Sequence, residues 1–297
     1  QEEARHVREH VGLIDVSTLG GLEIRGPDAA EFINRIFTFG FLKQPVGRTR
    51  YAAMTNEQGV VIDDGVSCRL ADDHFYVTAT TSGVGRVFQS MLQWNAQWRL
   101  DVDIANVTSA FAAVNIAGPL SRQVLETVCT GVDLSAQALP YLELREGYAG
   151  DAPARLMRTG FVGELSYELH VPARYGEYLW DLLMEAGKAF GIRPFGVEAQ
   201  RLLRLEKGHV IIGQDTDGMS HPGEIGMSWA VNRTKPFFVG RRAVDILDEQ
   251  PAKRRLVGFQ LPPGSAKPME GHLVLDGTDI TGNVTFCEYP ATQNAVI

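Results

Sequence analysis

One pattern occurs twice in this chain, and it limits the fold more than any other feature. Leu22-Glu23-Ile24-Arg25-Gly26-Pro27 reads as a short strand ending in Gly-Pro. Behind it, Asp28 to Ile36 carries Ala29, Phe32, Ile33 and Ile36 at helical spacing, with Asp28 placed to favour the first turn through the helix dipole. The same order returns at Ala113 to Pro119, followed by Leu120, Val124, Leu125 and Val128 as an apolar stripe. Two strand–Gly-Pro–helix units imply two related α+β halves, because each strand must pair and each helix must cover it.

The intervening segments fit that plan. After the first unit, strands are predicted around Arg50 to Met54, Val60 to Asp63 and His74 to Thr78, then a helix from about Gly83 to Trp94. After the second come strands near Ala154 to Arg158 and Ser166 to Val171, then helices from about Ala173 to Phe190 and Val197 to Lys207. Gly191 to Gly196, with two glycines and a proline, reads as the turn between those helices. From Arg254 onward the pattern becomes short strands (Arg255 to Gln260, Gly271 to Leu275, Asn283 to Phe286) broken by Gly and Pro, a small all-β tail. The expected division is therefore 1–250, with halves of roughly 1–110 and 111–250, and a β domain at 251–297. The chain opens at Gln1 inside a helical pattern and ends on alternating residues, so it is expected to be part of a longer one.

Charge and composition narrow the function. A net charge of −8 over 297 residues argues against a general nucleic-acid binder. No apolar run approaches the length of a membrane span. The three cysteines, Cys68, Cys129 and Cys287, follow no metal spacing and read as reduced thiols of a cytoplasmic protein. Asp215-Thr216-Asp217-Gly218 suggests a calcium loop but lacks the closing acidic ligand, and no other metal site is expected. No Gly-x-Gly-x-x-Gly follows a strand and no phosphate-binding P-loop is present, so neither a flavin nor an NAD site is expected in this segment.

Three segments could carry chemistry. In Thr55 to Gly65 a turn precedes the β-branched Val60-Val61-Ile62, which delivers Asp63 and Asp64. A carboxylate brought into a partly dry space has a tunable pKa, suited to handling a proton or stabilising a cation. In Arg158 to Leu169, Gly160 and Gly163 permit close backbone approach to a flat ligand. Phe161 offers a stacking face, and Glu168 could accept two hydrogen bonds from an aminopyrimidine edge. In Arg201 to His209, Arg204 shares a helix face with Arg201, and the helix stops at Gly208.

Together, in order, these segments resemble the aminomethyltransferase family, which includes the folate-binding parts of sarcosine and dimethylglycine oxidases and dehydrogenases. Asp15 to Gly20, Gly26 to Ala29, Tyr51 to Asp64, Gly160 to Glu168, Leu203 to Glu206, Gly226 to Trp229 and Phe238 to Arg242 carry the resemblance. Within the family, Glu206 to Gly218 and Phe161 are most similar to the heterotetrameric sarcosine oxidase alpha-subunit branch, in its C-terminal half. The resemblance implies an α+β, multi-domain arrangement around a central folate-binding hole, with a C-terminal β-barrel-like domain. It implies tetrahydrofolate as cofactor, with Asp63 near the reacting nitrogens and Asp64 as the alternative. Glu168 is then expected on the pterin edge, Arg204 in the same pocket, and Tyr51, Met54, Phe161 and Trp229 in its walls.

The activity so implied is one-carbon transfer: a unit at the formaldehyde level, released by oxidation of a sarcosine-like N-methyl amine, ends as 5,10-methylenetetrahydrofolate. Flavoprotein subunits are the implied partners. The alternatives are a stand-alone aminomethyltransferase or demethylase, and a folate-binding scaffold without catalysis.

Overall fold

The computed structural model describes residues 1–262, 264–290 and 297. The chain opens with helix α1 (Glu2–Glu9) and strand β1 (Gly12–Asp15). The first half then runs β2 (Gly20–Arg25), α2 (Ala29–Ile36), β3 (Thr49–Thr55), β4 (Val61–Ala71), β5 (His74–Ala79), α3 (Val84–Trp98) and β6 (Asp103–Asn106). Its five strands form one antiparallel sheet in the order β3-β4-β5-β2-β6.

The second half repeats that plan. It runs β7 (Phe111–Ala117), α4 (Ser121–Val128), β8 (Cys129–Thr130), β9 (Glu143–Ala149), β10 (Ala152–Arg158), β11 (Ser166–Pro172), α5 (Gly176–Ala186), β12 (Arg193–Pro194) and α6 (Val197–Lys207). Its sheet order is β12-β1-β7-β11-β10-β9-β8. The meander β9-β10-β11 beside β7 therefore matches β3-β4-β5 beside β2. The Gly-Pro corners match as well. Gly26 and Gly118 both adopt positive φ (138° and 124°), and each presses its Cα onto foreign backbone, Asp101 in one case and His10 in the other, where a Cβ has no room. The place beside β2 filled by β6 in the first sheet is taken beside β7 in the second by β1, with β12 outside it at the edge, so the chain's N-terminus joins its second sheet.

Alternation along the strands gives each sheet one helix-covered face. Leu22, Ile24, Met54, Phe75 and Val77 pack against Phe32, Ile33 and Ile36 of α2 and Val87 and Met91 of α3. Val114, Ile116, Leu156, Tyr167 and Leu169 pack against Val124 and Leu125 of α4 and Leu179 and Leu183 of α5. The other two faces look at one another. Cys68 and Tyr76 of the first sheet meet Leu144 and Met157 of the second, with the Cys68 and Met157 sulfurs 3.1 Å apart. Arg155 crosses this seam to Glu23 at 2.9 Å. Beside the seam, α6 lays Ala199, Leu202 and Leu203 over Ile14, Ala113 and Ala117.

After α6 the chain crosses back over the first sheet. Ile225, Met227 and Ala230 cover Ala53 and Val61, and Thr38 Oγ1 donates to the Ala230 carbonyl at 2.7 Å. Lys235, 5% exposed, donates to the carbonyls of Asn34, Phe37 and Phe39 and so closes the C-terminal end of α2. Helix α7 (Arg241–Glu249) follows.

Two sequence expectations change. The strand expected to end at Asp63 continues for eleven residues, carrying both carboxylates in its interior. The tail forms one hairpin, β13 (Leu273–Asp276) with β14 (Asp279–Asn283), and no closed barrel among the described residues. Residues 255–260 are not a strand, and positions 263 and 291–296 of the expected β domain lie outside the described residues.

Candidate functional site

Because Asp63 and Asp64 are successive residues inside β4, they point to opposite faces of the sheet. Asp63 lies on the helix face, 2% exposed. Its carboxylate accepts from the Thr80 N–H at 3.0 Å, the Thr80 hydroxyl at 2.9 Å and the Asp64 N–H at 2.7 Å. Burial pushes its pKa up against those bonds. Gly83 sits directly on the carboxylate, where a Cβ would overlap it. Asp63 thus fixes the turn that starts α3.

Asp64 lies on the face turned toward the second sheet. The Tyr51 hydroxyl donates to its Oδ2 from the neighbouring strand β3. Burial lifts its pKa to about 6, Asp63 adding in the same direction and the Tyr51 bond opposing. A carboxyl so poised is half-protonated at about pH 6 and largely a carboxylate at neutral pH, within reach of holding or releasing a proton. The Tyr51 ring lies 4.9 Å from that of Trp229, tilted by 46°, and Trp229 is 62% exposed. Its flanks explain this: Met227 and Ala230 anchor the turn in the apolar cluster around Ala53, leaving the indole outside.

Glu168 comes from β11, its side chain 13% exposed. It stands in register with Met157 on one side and Asn115 on the other. His170 Nε2 lies 3.4 Å from Glu168 Oε2, and His170 Nδ1 lies 3.1 Å from the Tyr76 hydroxyl. Burial raises the Tyr76 pKa, keeping its proton in place. The arrangement that satisfies both contacts has Tyr76 donating to Nδ1 and Nε2–H donating to Glu168. Met157 touches Cys68, which lies on the same face of β4 as Asp64 and four residues, roughly 13 Å of strand, further along it. Asn115, His170 and Tyr76 were not singled out from the sequence. The available signal was polarity inside apolar strands, an Asn within Ala113 to Ala117 and a His within Ser166 to Val171.

The remaining expected residues fall in two places. Arg204, 2% exposed, pairs with Asp215 and donates to the His209 carbonyl at 3.0 Å, tying down the loop after α6. Its Nε and Nη2 are buried without a hydrogen-bond partner among the described residues. The carbonyl of Phe161 accepts from His209 Nδ1 at 2.6 Å, and the two rings stack at 5.6 Å. Burial lowers the His209 pKa, in keeping with a neutral ring donating through Nδ1. Met54, 1% exposed, lies on the helix face opposite Asp63, away from Tyr51 and Asp64. The structure therefore groups Tyr51, Asp64 and Trp229, links Phe161 to Arg204 through His209, and places Met54 with neither.

Two other features are of different kind. An open groove of about 390 Å³ lies between Arg201 and Gln214 on one side and Glu270 and Thr285 on the other. It is walled by exposed ion pairs, contains neither Asp64 nor Glu168, and offers no dry surface for chemistry. His6 and His10, four residues apart in α1 and at its end, stack at 4.8 Å. No group of three or more His, Cys, Asp or Glu among the described residues is placed to hold a metal ion. No helix among them is long and apolar enough to cross a membrane.

The two-sheet architecture is that of an aminomethyltransferase. It matches the glycine cleavage system aminomethyltransferase T from Bartonella henselae with a TM-score of 0.87, over 99% of this chain and 79% of that one, at 23% identity. Residues 1–235 match the GCVT N-terminal domain. The aminomethyltransferase of Halothermothrix orenii is 34% identical over 96% of this chain and 78% of its own. The sarcosine oxidase subunit alpha of Corynebacterium sp. (strain P-1) is 41% identical over 95% of this chain, which spans 30% of that protein's length. The chain belongs to the aminomethyltransferase family, and is related to both its free-standing transferases and the sarcosine oxidase alpha subunits.

Proposed function

We propose that this chain transfers a one-carbon unit to tetrahydrofolate held between its two sheets. The observation that carries the reading is the pair of partly buried carboxylates on facing sheets. Asp64 is raised to about 6 and gripped by Tyr51, while Glu168 is backed by His170. Along β4, Asp64 lies roughly 13 Å from Cys68, which touches Met157 beside Glu168, a span that suits a pteridine with its aminomethyl arm. The unpartnered buried amide oxygen of Asn115, in register with Glu168, fits a polar ligand there.

Bound tetrahydrofolate supplies the nitrogen nucleophile for a formaldehyde-level carbon, giving 5,10-methylenetetrahydrofolate. The chain's own work is to orient and to manage charge. Glu168 accepts hydrogen bonds from the amino-pyrimidine edge and sets the ring's position. Asp64, rather than Asp63, faces the reacting atoms, because Asp63 is committed to the Thr80 turn. As a carboxylate Asp64 stabilises the cation that precedes capture and takes up the released proton. Tyr51 holds the Asp64 carboxyl in place, and its ring with Trp229 offers an aromatic wall. Holding the two reactants together converts a slow bimolecular capture into a local one.

The likeness to the sarcosine oxidase alpha subunit favours a one-carbon unit from sarcosine-like N-methyl amines. Flavoprotein partner subunits would perform the oxidation in the cytoplasm. The 78% coverage of the aminomethyltransferase relatives favours a second reading, transfer from an aminomethyl carrier as in glycine cleavage. Incubating the chain with tetrahydrofolate and either formaldehyde or an aminomethylated carrier, and following methylenetetrahydrofolate, separates them. Acceleration with neither donor over the uncatalysed rate, alongside tight folate binding, would leave only a scaffold.

A further inference from the structure

The inner face of the second sheet holds an acceptor with nothing to accept. Asn115 lies mid-strand in β7, 4% exposed, in register with Glu168 on β11 and Ile14 on β1. Residues paired in register on antiparallel strands share a face, so the Asn115 amide lies beside the Glu168 carboxylate. Its neighbours along that face, Ile14, Ala113 and Ala117, are buried and apolar.

The amide's orientation is settled by its partner. Ser166 Oγ donates its single proton to the Thr159 carbonyl at 2.7 Å. Toward Asn115 that hydroxyl can only accept, and Asn115 Nδ2 meets it at 3.2 Å. The oxygen is thereby turned away from Ser166. Asn115 Oδ1 is buried and has no hydrogen-bond partner among the described residues. Folded chains seldom leave a buried amide oxygen unmet unless something else supplies the donor.

We infer that Asn115 Oδ1 is a specificity-determining acceptor for a ring-edge N–H of the reduced pteridine, next to the contacts made by Glu168; this rests on the folate reading above. A carboxylate on the aminopyrimidine edge takes up N3–H and one amino hydrogen. The second amino hydrogen and N8–H remain on the neighbouring edge, both donors. These two donors flank the N1 lone pair, so an oxygen fixed beside Glu168 complements one of them and rejects a ring that carries a lone pair in that donor's place, where two acceptors would face each other without a proton.

Calorimetric titration with tetrahydrofolate and with folic acid, which lacks N8–H, tests this. Asn115→Ala is expected to weaken tetrahydrofolate binding about tenfold with the melting temperature nearly unchanged. A loss confined to tetrahydrofolate assigns the contact to N8–H, and a loss shared by folic acid assigns it to the amino hydrogen. Ser166→Ala, which frees the amide to turn, is expected to cost less, about threefold. Where Asn115→Ala lowers the melting temperature, Asn115→Thr carries the test, since it keeps a polar group toward Ser166 and withdraws the carbonyl oxygen. Unchanged affinity in the Asn115 variants, with Glu168→Ala weakened, overturns the role of Asn115 alone. Unchanged affinity in both overturns the folate reading itself.

Discussion

Asp63 and Asp64 are adjacent, yet their amide variants should behave in opposite ways. In the folded chain the Asp64 pKa lies at about 6, against an ordinary 3.8. That difference corresponds to about 3 kcal/mol at roughly 1.36 kcal/mol per pKa unit. The folded state holds this proton more tightly than the unfolded chain does. The group therefore favours folding only while protonated, and its ionisation costs stability as pH rises from about 4 through 6. Asp64→Asn removes that cost. It should be more stable than the parent by about 3 kcal/mol at pH 8, by about half that at pH 5, and by nothing below about pH 3.5. It should also lower transfer at least about tenfold, a loss of about 1.4 kcal/mol in the barrier. Asp63→Asn should keep transfer within a few-fold. Its remaining oxygen can accept from the Thr80 and Asp64 N–H groups while its amide donates to the Thr80 hydroxyl. Urea unfolding at several pH values, with a methylenetetrahydrofolate assay on both variants, reads the contrast. If Asp63→Asn abolishes transfer while Asp64→Asn retains it, the assignment of faces along β4 is refuted.

Other outcomes follow from the same geometry. Tyr51→Phe withdraws a charge-assisted hydrogen bond worth about 1.5–3 kcal/mol, so the acidic limb of the transfer rate should move upward by about 1–2 pH units; an unmoved limb would separate Tyr51 from the reacting carboxyl. Glu168→Ala should weaken tetrahydrofolate affinity by tenfold or more while leaving the melting temperature within a few degrees, as read by calorimetry; an unchanged dissociation constant removes Glu168 from the pterin edge. Lys235→Met leaves three carbonyls at the end of α2 without their donor and should cost about 2–3 kcal/mol in urea unfolding, with folate affinity unaltered in the folded fraction.

Much of the scaffold was legible in the sequence because its signals are local. The Gly-Pro corners, the apolar stripes of α2 and α4, and the span of α6 follow from periodicity and backbone sterics. Strand β4 was read as ending at Asp63 because two charges look like a boundary. In the fold Asp63 is met by Thr80 and Asp64 by Tyr51, partners 17 and 13 residues away, so the strand continues. The same long-range pairing hid which face of the sheet each acid takes. Asn115 and His170 were passed over for a related reason. Their meaning depends on Ser166, which reaches Asn115 across neighbouring strands, and on Tyr76, which reaches His170 from the other sheet. The family resemblance implies Met54 as a wall residue, whereas strand alternation places it in the core beneath α2.

The central claim is a location. Crystals of the chain soaked in a stable reduced folate such as 5-formyltetrahydrofolate should show the aminopyrimidine edge against Glu168, with the N5–N10 region within about 4 Å of the Asp64 carboxylate, the reach of an ion pair or hydrogen bond. A ligand lodged instead in the open groove beside Arg201 and Glu270, or bound with Asp64 and Glu168 both out of reach, would contradict it.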